Sequence, residues 1–176
     1  MESRAGVVES LLRILSAVAA VATACVVGFD RQTKTIFFGY AKTATVKDLK
    51  ALWILMIVAS VSAGYHLLQL SRYMISAWLG KTSKGCCNKY AAWACYVLDQ
   101  GVMYVMFAST CAGTQASLLA VTGESDLQWQ KLCNMYTRFC IQIGGGLFCG
   151  LVASLMMSLV SLISANRLFK LYLCKR

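Results

Sequence analysis

Four apolar stretches, at residues 11–29, 51–70, 91–121 and 139–165, constrain this chain more than anything else in it. Each reaches the about 20 residues that a helix needs to cross a hydrocarbon core. Within lipid a spanning segment must satisfy its own backbone amides or close into a barrel, and barrel strands would alternate over about 10 residues. These runs are continuous and longer, so they predict helices. Composition agrees: 59% of the 176 residues are hydrophobic and the mean hydropathy is +0.63, against about 45–50% apolar residues in an ordinary soluble domain. Proline is absent, which removes the commonest cause of a kink. The connecting segments are too short for a soluble domain. The expectation is an all-α membrane protein, residues 1–176 forming one tetraspan domain: a four-transmembrane-helix bundle with short loops.

Arg13 lies inside the first stretch and Asp99 inside the third. A lone charge in hydrocarbon costs about 3 kcal/mol on insertion scales, so the two are expected to face inward and pair. Pairing in turn predicts that the first and third helices are neighbours. Asp99 could instead bind a cation or relay a proton, which makes a small channel or transporter the alternative to a structural role. Coupled transporters, however, carry more polar groups at depth and interrupted helices.

The net charge of +10 would suggest nucleic acid in a soluble protein, but in a tetraspan chain it reports topology. The side with both termini and the 71–90 loop carries nine Lys and Arg against two acids, and the other side seven against four, leaving +7 and +3. Cytosolic termini follow. So basic a face attracts anionic lipid headgroups, and no nucleic-acid partner is expected. Ala22-Thr23-Ala24 resembles a signal-peptidase site, but apolar residues continue to Phe29 and Arg13 interrupts the run before it. The first helix is read as uncleaved.

Gly146, Gly150, Ser154 and Ser158 recur every four residues and form one stripe of small side chains on the fourth helix. Such stripes let backbones approach closely in lipid, either inside a bundle or between molecules. This one is the candidate helix-packing or oligomer face. The similar series Ser16, Ala20, Ala24, Gly28 and Ala108, Ala112, Ala116 are read as internal packing. Gly144 to Gly146 should soften the start of the fourth helix.

Nine cysteines divide by surroundings. Cys25, Cys95, Cys111 and Cys149 fall in apolar runs and read as buried small hydrophobes. Cys86, Cys87 and Cys174 lie in basic segments where S-acylation is the alternative to a free thiol. Cys133 and Cys140 flank the last extracytosolic loop and form the candidate disulfide. On a straight helix seven residues span about 10 Å, so a bridge requires the chain to turn between them. Trp129 is expected at the membrane interface, where indole rings concentrate. His66, the one histidine, is assigned an interhelical hydrogen bond.

No Cys-x-x-Cys, His-Glu-x-x-His, Gly-x-Ser-x-Gly or phosphate-binding glycine loop occurs, so no enzyme, metal or cofactor is expected. A redox enzyme using Cys133 and Cys140 is the third and weakest reading.

The Arg13 and Asp99 pair, Leu49-Lys50-Ala51-Leu52-Trp53 leading into Ser62-Ala63-Gly64-Tyr65-His66, and the set Trp129, Cys133, Phe139 and Cys140 together carry a family likeness. Across all four stretches the chain resembles the plant Casparian strip membrane domain protein-like (CASP-like) family, and its second block resembles subgroup two. The resemblance implies a non-enzymatic plasma-membrane scaffold with cytosolic termini. It also implies homo-oligomers, hetero-oligomers with related tetraspan proteins and, as in some members, immobile membrane platforms that guide local cell-wall modification. The 30–50 loop lacks the extracellular signature of the strip-forming members and is rich in Lys and Thr, so targeting to the Casparian strip itself is not implied.

The charge bias yields a direct topological test. Single cysteines introduced near residues 5 and 84 should resist impermeant thiol reagents on intact cells, and one near residue 40 should react. The reverse labelling pattern would invert the orientation.

Overall fold

The computed structural model describes residues 2–29, 31–36, 40–45, 50–78, 89–123, 133 and 137–173. Helix α1 covers Glu2–Gly28, strands β1 and β2 cover Arg31–Ile36 and Tyr40–Thr45, and helices α2, α3 and α4 cover Lys50–Trp78, Lys89–Thr122 and Thr137–Leu173. Each helix contains a stretch long and apolar enough to cross a membrane. The chain is an all-α tetraspan membrane protein.

The helices overrun the apolar stretches at the end that carries the termini. Beyond residue 70 in α2 and residue 165 in α4 no proline or glycine interrupts the ladder, so the helices continue to Trp78 and Leu173. The last bond of helix α3 runs from the Gly123 N–H to the Leu119 carbonyl at 2.9 Å, and the Gly123 φ of 68° then turns the chain out of the helix.

The 30–50 loop contains a feature not expected from sequence, an antiparallel hairpin in which Arg31 faces Thr45, Lys34 faces Lys42 and Ile36 faces Tyr40. Its local signal is the density of β-branched residues, Thr33, Thr35, Ile36, Thr43 and Thr45. The hairpin marks one end of the bundle and the termini the other.

Helix α1 packs on α2 and α4, and α3 packs on the same two. Helices α1 and α3 are therefore diagonal rather than neighbours, which corrects the adjacency inferred from their charges. An arginine side chain is long enough to cross the bundle axis, so pairing does not demand adjacent backbones. The buried positions step by threes and fours, through Ala17, Ala20, Thr23 and Val27 in α1, Leu52, Leu55, Ala59 and Ser62 in α2, and Phe139, Ile143 and Leu147 in α4. That spacing is the seam of left-handed helix packing.

The stripe on α4 faces inward, which selects helix packing over the oligomer face as its use. A Cβ at Gly146 would stand 2.7 Å from Val27 Cγ2, and one at Gly150 would stand 3.0 Å from Thr110 Oγ1. Ser154 is buried and Ser158 half-buried, and their hydroxyls donate to the Leu151 and Leu155 carbonyls of their own helix. The small residues are used where α1 and α3 come closest to α4. Gly144 and Gly145 instead turn outward, with nothing within 4 Å of where a Cβ would be. The triple glycine is helical throughout.

Gly146→Leu should therefore overpack the α1–α4 contact and cost about 1–3 kcal/mol, whereas Gly145→Leu should be near neutral. Thermal unfolding in detergent distinguishes them, and equal stability would mean that position 146 faces lipid.

Candidate functional site

In the half of the bundle nearer the termini, the Asp99 carboxylate gathers side chains from the other three helices. Arg13 Nη1 donates to Oδ1 at 3.0 Å and Nη2 to Oδ2 at 2.8 Å, a two-pronged charge-assisted pair. The Tyr65 hydroxyl of α2 donates to Oδ1 at 2.7 Å, and the Ser164 hydroxyl of α4 to Oδ2 at 2.7 Å. Each carboxylate oxygen thus accepts two hydrogen bonds. The Asp99 side chain is only 1% exposed.

A second sphere of contacts holds these groups in place. Gln69, one turn along α2, donates from Nε2 to the Tyr65 hydroxyl at 2.9 Å. Next to Asp99 in α3, Gln100 accepts a hydrogen bond from Ser161 of α4. Glu9, one turn before Arg13, takes Arg13 Nε at 3.3 Å and Nη2 at 3.2 Å. Glu9 is one of the two acids counted on the termini side and precedes the first apolar stretch. Because α1 is helical from Glu2, the i,i+4 geometry brings its carboxylate back onto Arg13.

The remaining predicted residues separate. His66 is buried, but among the described residues neither ring nitrogen has a hydrogen-bond partner, so the interhelical bond assigned to it is corrected. Its ring packs edge-on against Tyr65, centroids 5.4 Å apart. Tyr65, not His66, provides the α2 donor to the saturated carboxylate.

Cys133 and Cys140 are joined, with Cα atoms 5.8 Å apart instead of the about 10 Å of a straight helix. Cys25 and Cys111 lie on the outer surface and Cys95 and Cys149 are half-buried, which corrects their reading as core residues. Trp129, Cys86, Cys87 and Cys174 fall outside the described residues. Among the described aromatics, Trp78, Tyr90 and Trp93 are exposed near the helix ends opposite the hairpin, where interfacial anchors belong. Among the described residues no cluster of His, Cys, Asp and Glu could hold a metal ion.

The pattern of the Casparian strip membrane protein domain matches residues 2–156, from the start of α1 to Met156 of α4. The chain belongs to this family. It is 49% identical to CASP-like protein 2C1 of Vitis vinifera over 176 residues, covering 98% of this chain and 85% of the relative. To CASP-like protein 2C1 of Populus trichocarpa it is 48% identical, covering 94% and 90%. The likeness to CASP-like protein 2C2 of Oryza sativa subsp. japonica is 45%, covering 93% and 82%. These names are consistent with subgroup two. No solved structure matches the chain.

Removing one member of the junction strands the others at membrane depth. Asp99→Asn should lower stability by about 3–5 kcal/mol, because the Arg13 charge loses its main partner. Tyr65→Phe and Ser164→Ala, each deleting one hydrogen bond to a charged acceptor, should cost about 1.5–3 kcal/mol. Folded yield and thermal unfolding give the ranking. A fully stable Asp99→Asn protein would remove the junction from the folding energetics.

Proposed function

We propose that this protein is a non-enzymatic plasma-membrane scaffold that associates with itself and with related tetraspan proteins to organise membrane domains, in connection with local cell-wall modification. Its termini face the cytosol, in keeping with the charge bias of the loops. The observation that carries this reading is the closed interior. Large side chains such as Leu52, Leu55, Met106, Phe139 and Met157 fill the bundle axis, and the Asp99 carboxylate has every acceptor position taken. A cation pathway through Asp99 would need an open ligand position, so the channel alternative draws no support from this geometry. The working surface of such a molecule is its outside.

On that outside, α3 carries the small-residue face that α4 does not. Gly101, Ala108 and Ala112 are exposed at helical spacing, with the amide side chain of Gln115 on the same stripe at span depth. Small residues that permit close approach, next to an amide able to bond across the contact, suit lateral helix association in lipid. The reading of Ala108 and Ala112 as internal packing is therefore replaced. Ala116 is half-buried at the edge of the stripe.

Ala108→Leu with Ala112→Leu should leave the monomer folded, reduce oligomer size and speed fluorescence recovery in the plasma membrane. Unchanged oligomers in that variant would exclude this face. A freely diffusing monomeric wild type, or ion flux through the reconstituted protein, would overturn the scaffold reading.

A further inference from the structure

Residues 31–50 carry Arg31, Lys34, Lys42, Lys47 and Lys50 against one acid, Asp48. The hairpin sets two of these cations directly opposite each other, Lys34 facing Lys42. Like charges in opposed positions weaken a ribbon, and a two-stranded ribbon is marginal to begin with. An anion shared by the two ammonium groups removes that penalty. The positive field extends beyond the hairpin. Strand β1 packs beside α4, whose first turn holds the exposed Arg138 and no acid, and α2 opens with the exposed Lys50 and no acid in its first turn. Both helices direct the positive ends of their dipoles to this side.

The register also fixes which residue types accompany the lysines. Alternation along each strand puts Gln32, Lys34 and Ile36 on one face with Ala44, Lys42 and Tyr40, and Arg31, Thr33 and Thr35 on the other with Thr45, Thr43 and Ala41. The lysine face thus combines two ammonium groups with an amide and a phenol. Neither face has the apolar centre on which a protein interface is built, since Ile36 and Tyr40 fall only at the turn end. What the ribbon can give an occupant is positive charge, hydrogen bonds and one aromatic ring. Those are the needs of a carboxylated sugar: ammonium groups neutralise its carboxylate, the amide bonds its hydroxyls, and the C–H face of a pyranose stacks on an aromatic ring. Six residue pairs make a ribbon about 20 Å long, enough to meet several sugar units of one polymer.

We propose that the lysine face of the hairpin binds an acidic polysaccharide, a polymer of uronate units, with Lys34 and Lys42 sharing its carboxylates and Tyr40 against a sugar ring. In the proposed orientation, on which this assignment rests, the hairpin lies on the wall side.

The test measures binding of polygalacturonate to the full-length protein in phosphatidylcholine nanodiscs, where both ends are accessible and orientation does not enter. Wild type should bind, more weakly as salt rises, and should ignore the fully methyl-esterified polymer, whose carboxyl groups are neutral. Lys34→Glu is the decisive variant. Opposite Lys42 it makes a favourable cross-strand pair that steadies the hairpin, so a loss of binding does not come from unpaired strands. It should lower affinity about tenfold, while Lys34→Arg should retain it. Tyr40→Ser should weaken binding of polygalacturonate and leave the weaker attraction of polyglutamate unchanged. Arg72→Gln, exposed at the opposite end, should change nothing. Undiminished binding by Lys34→Glu would overturn the proposal, as would a wild type that ignores polygalacturonate. Polyglutamate bound as tightly as polygalacturonate would assign the face to acidic peptides, and competition by phosphatidylglycerol in the nanodisc would assign it to lipid headgroups; either result overturns the polysaccharide. Binding in nanodiscs together with inverted cysteine labelling on cells would uphold the site and reject the orientation, so the two readings fail separately.

Discussion

The arrangement of the four helices depends on the Asp99 carboxylate. Hydrocarbon offers a buried charge no water, so Asp99 is tolerable at depth only with its acceptor positions filled. Arg13 fills two from α1, Tyr65 one from α2 and Ser164 one from α4. Because the donors come from three different helices, a shift of any helix along its axis breaks at least one bond to a charged acceptor. Apolar packing in a lipid-surrounded bundle has little such selectivity, since lipid tails are as apolar as leucine and the hydrophobic effect does not drive helices together there. The junction sets register, and the rest of the bundle packs around that register.

Given the register, small residues decide how near the helices come. A Cβ would clash with Val27 at Gly146 and crowd Thr110 at Gly150, so α4 lies tight against both α1 and α3. The same residue types on α3 at 101, 108 and 112 turn outward. Two helices with similar small-residue series thus have opposite roles, one consumed in folding and one left at the surface. Larger side chains, Leu52, Leu55, Phe139 and Ile143, fill the hairpin end, where none of the described residues is a buried charge. A groove between α3 and α4 lies at this same end, far from the junction that clamps the helices together.

An interior so fully used has a functional consequence. Its charges satisfy one another and its axis is filled with side chains, so the surfaces open to partners are the lipid-facing helix sides, the hairpin and the loops. That division is what the proposed scaffold reading requires, and under that reading the junction contributes by holding the four helices in register.

Apolar length alone determined four spanning helices, because no other structure satisfies so many backbone groups inside lipid. Sequence also determined that Arg13 and Asp99 belong together, since each is costly alone and no other charge is obviously as deep. Several matters were beyond it, each for a geometric reason. The diagonal placement of α1 and α3 depends on the reach of a side chain, which spacing along the chain does not encode. Glu9 and Tyr65 joined the junction because helix phase turned them toward it, and His66, one residue from Tyr65, was turned past it. The α4 stripe and the α3 stripe look alike as strings, and only the closed ring of helices decided which faces α1 and which faces lipid. The hairpin had a local signal in its threonines, but the sense of a two-stranded ribbon emerges only when both strands pair. Composition and period thus decided what the elements are, and the tertiary structure decided which face of each one meets another helix and which meets the membrane.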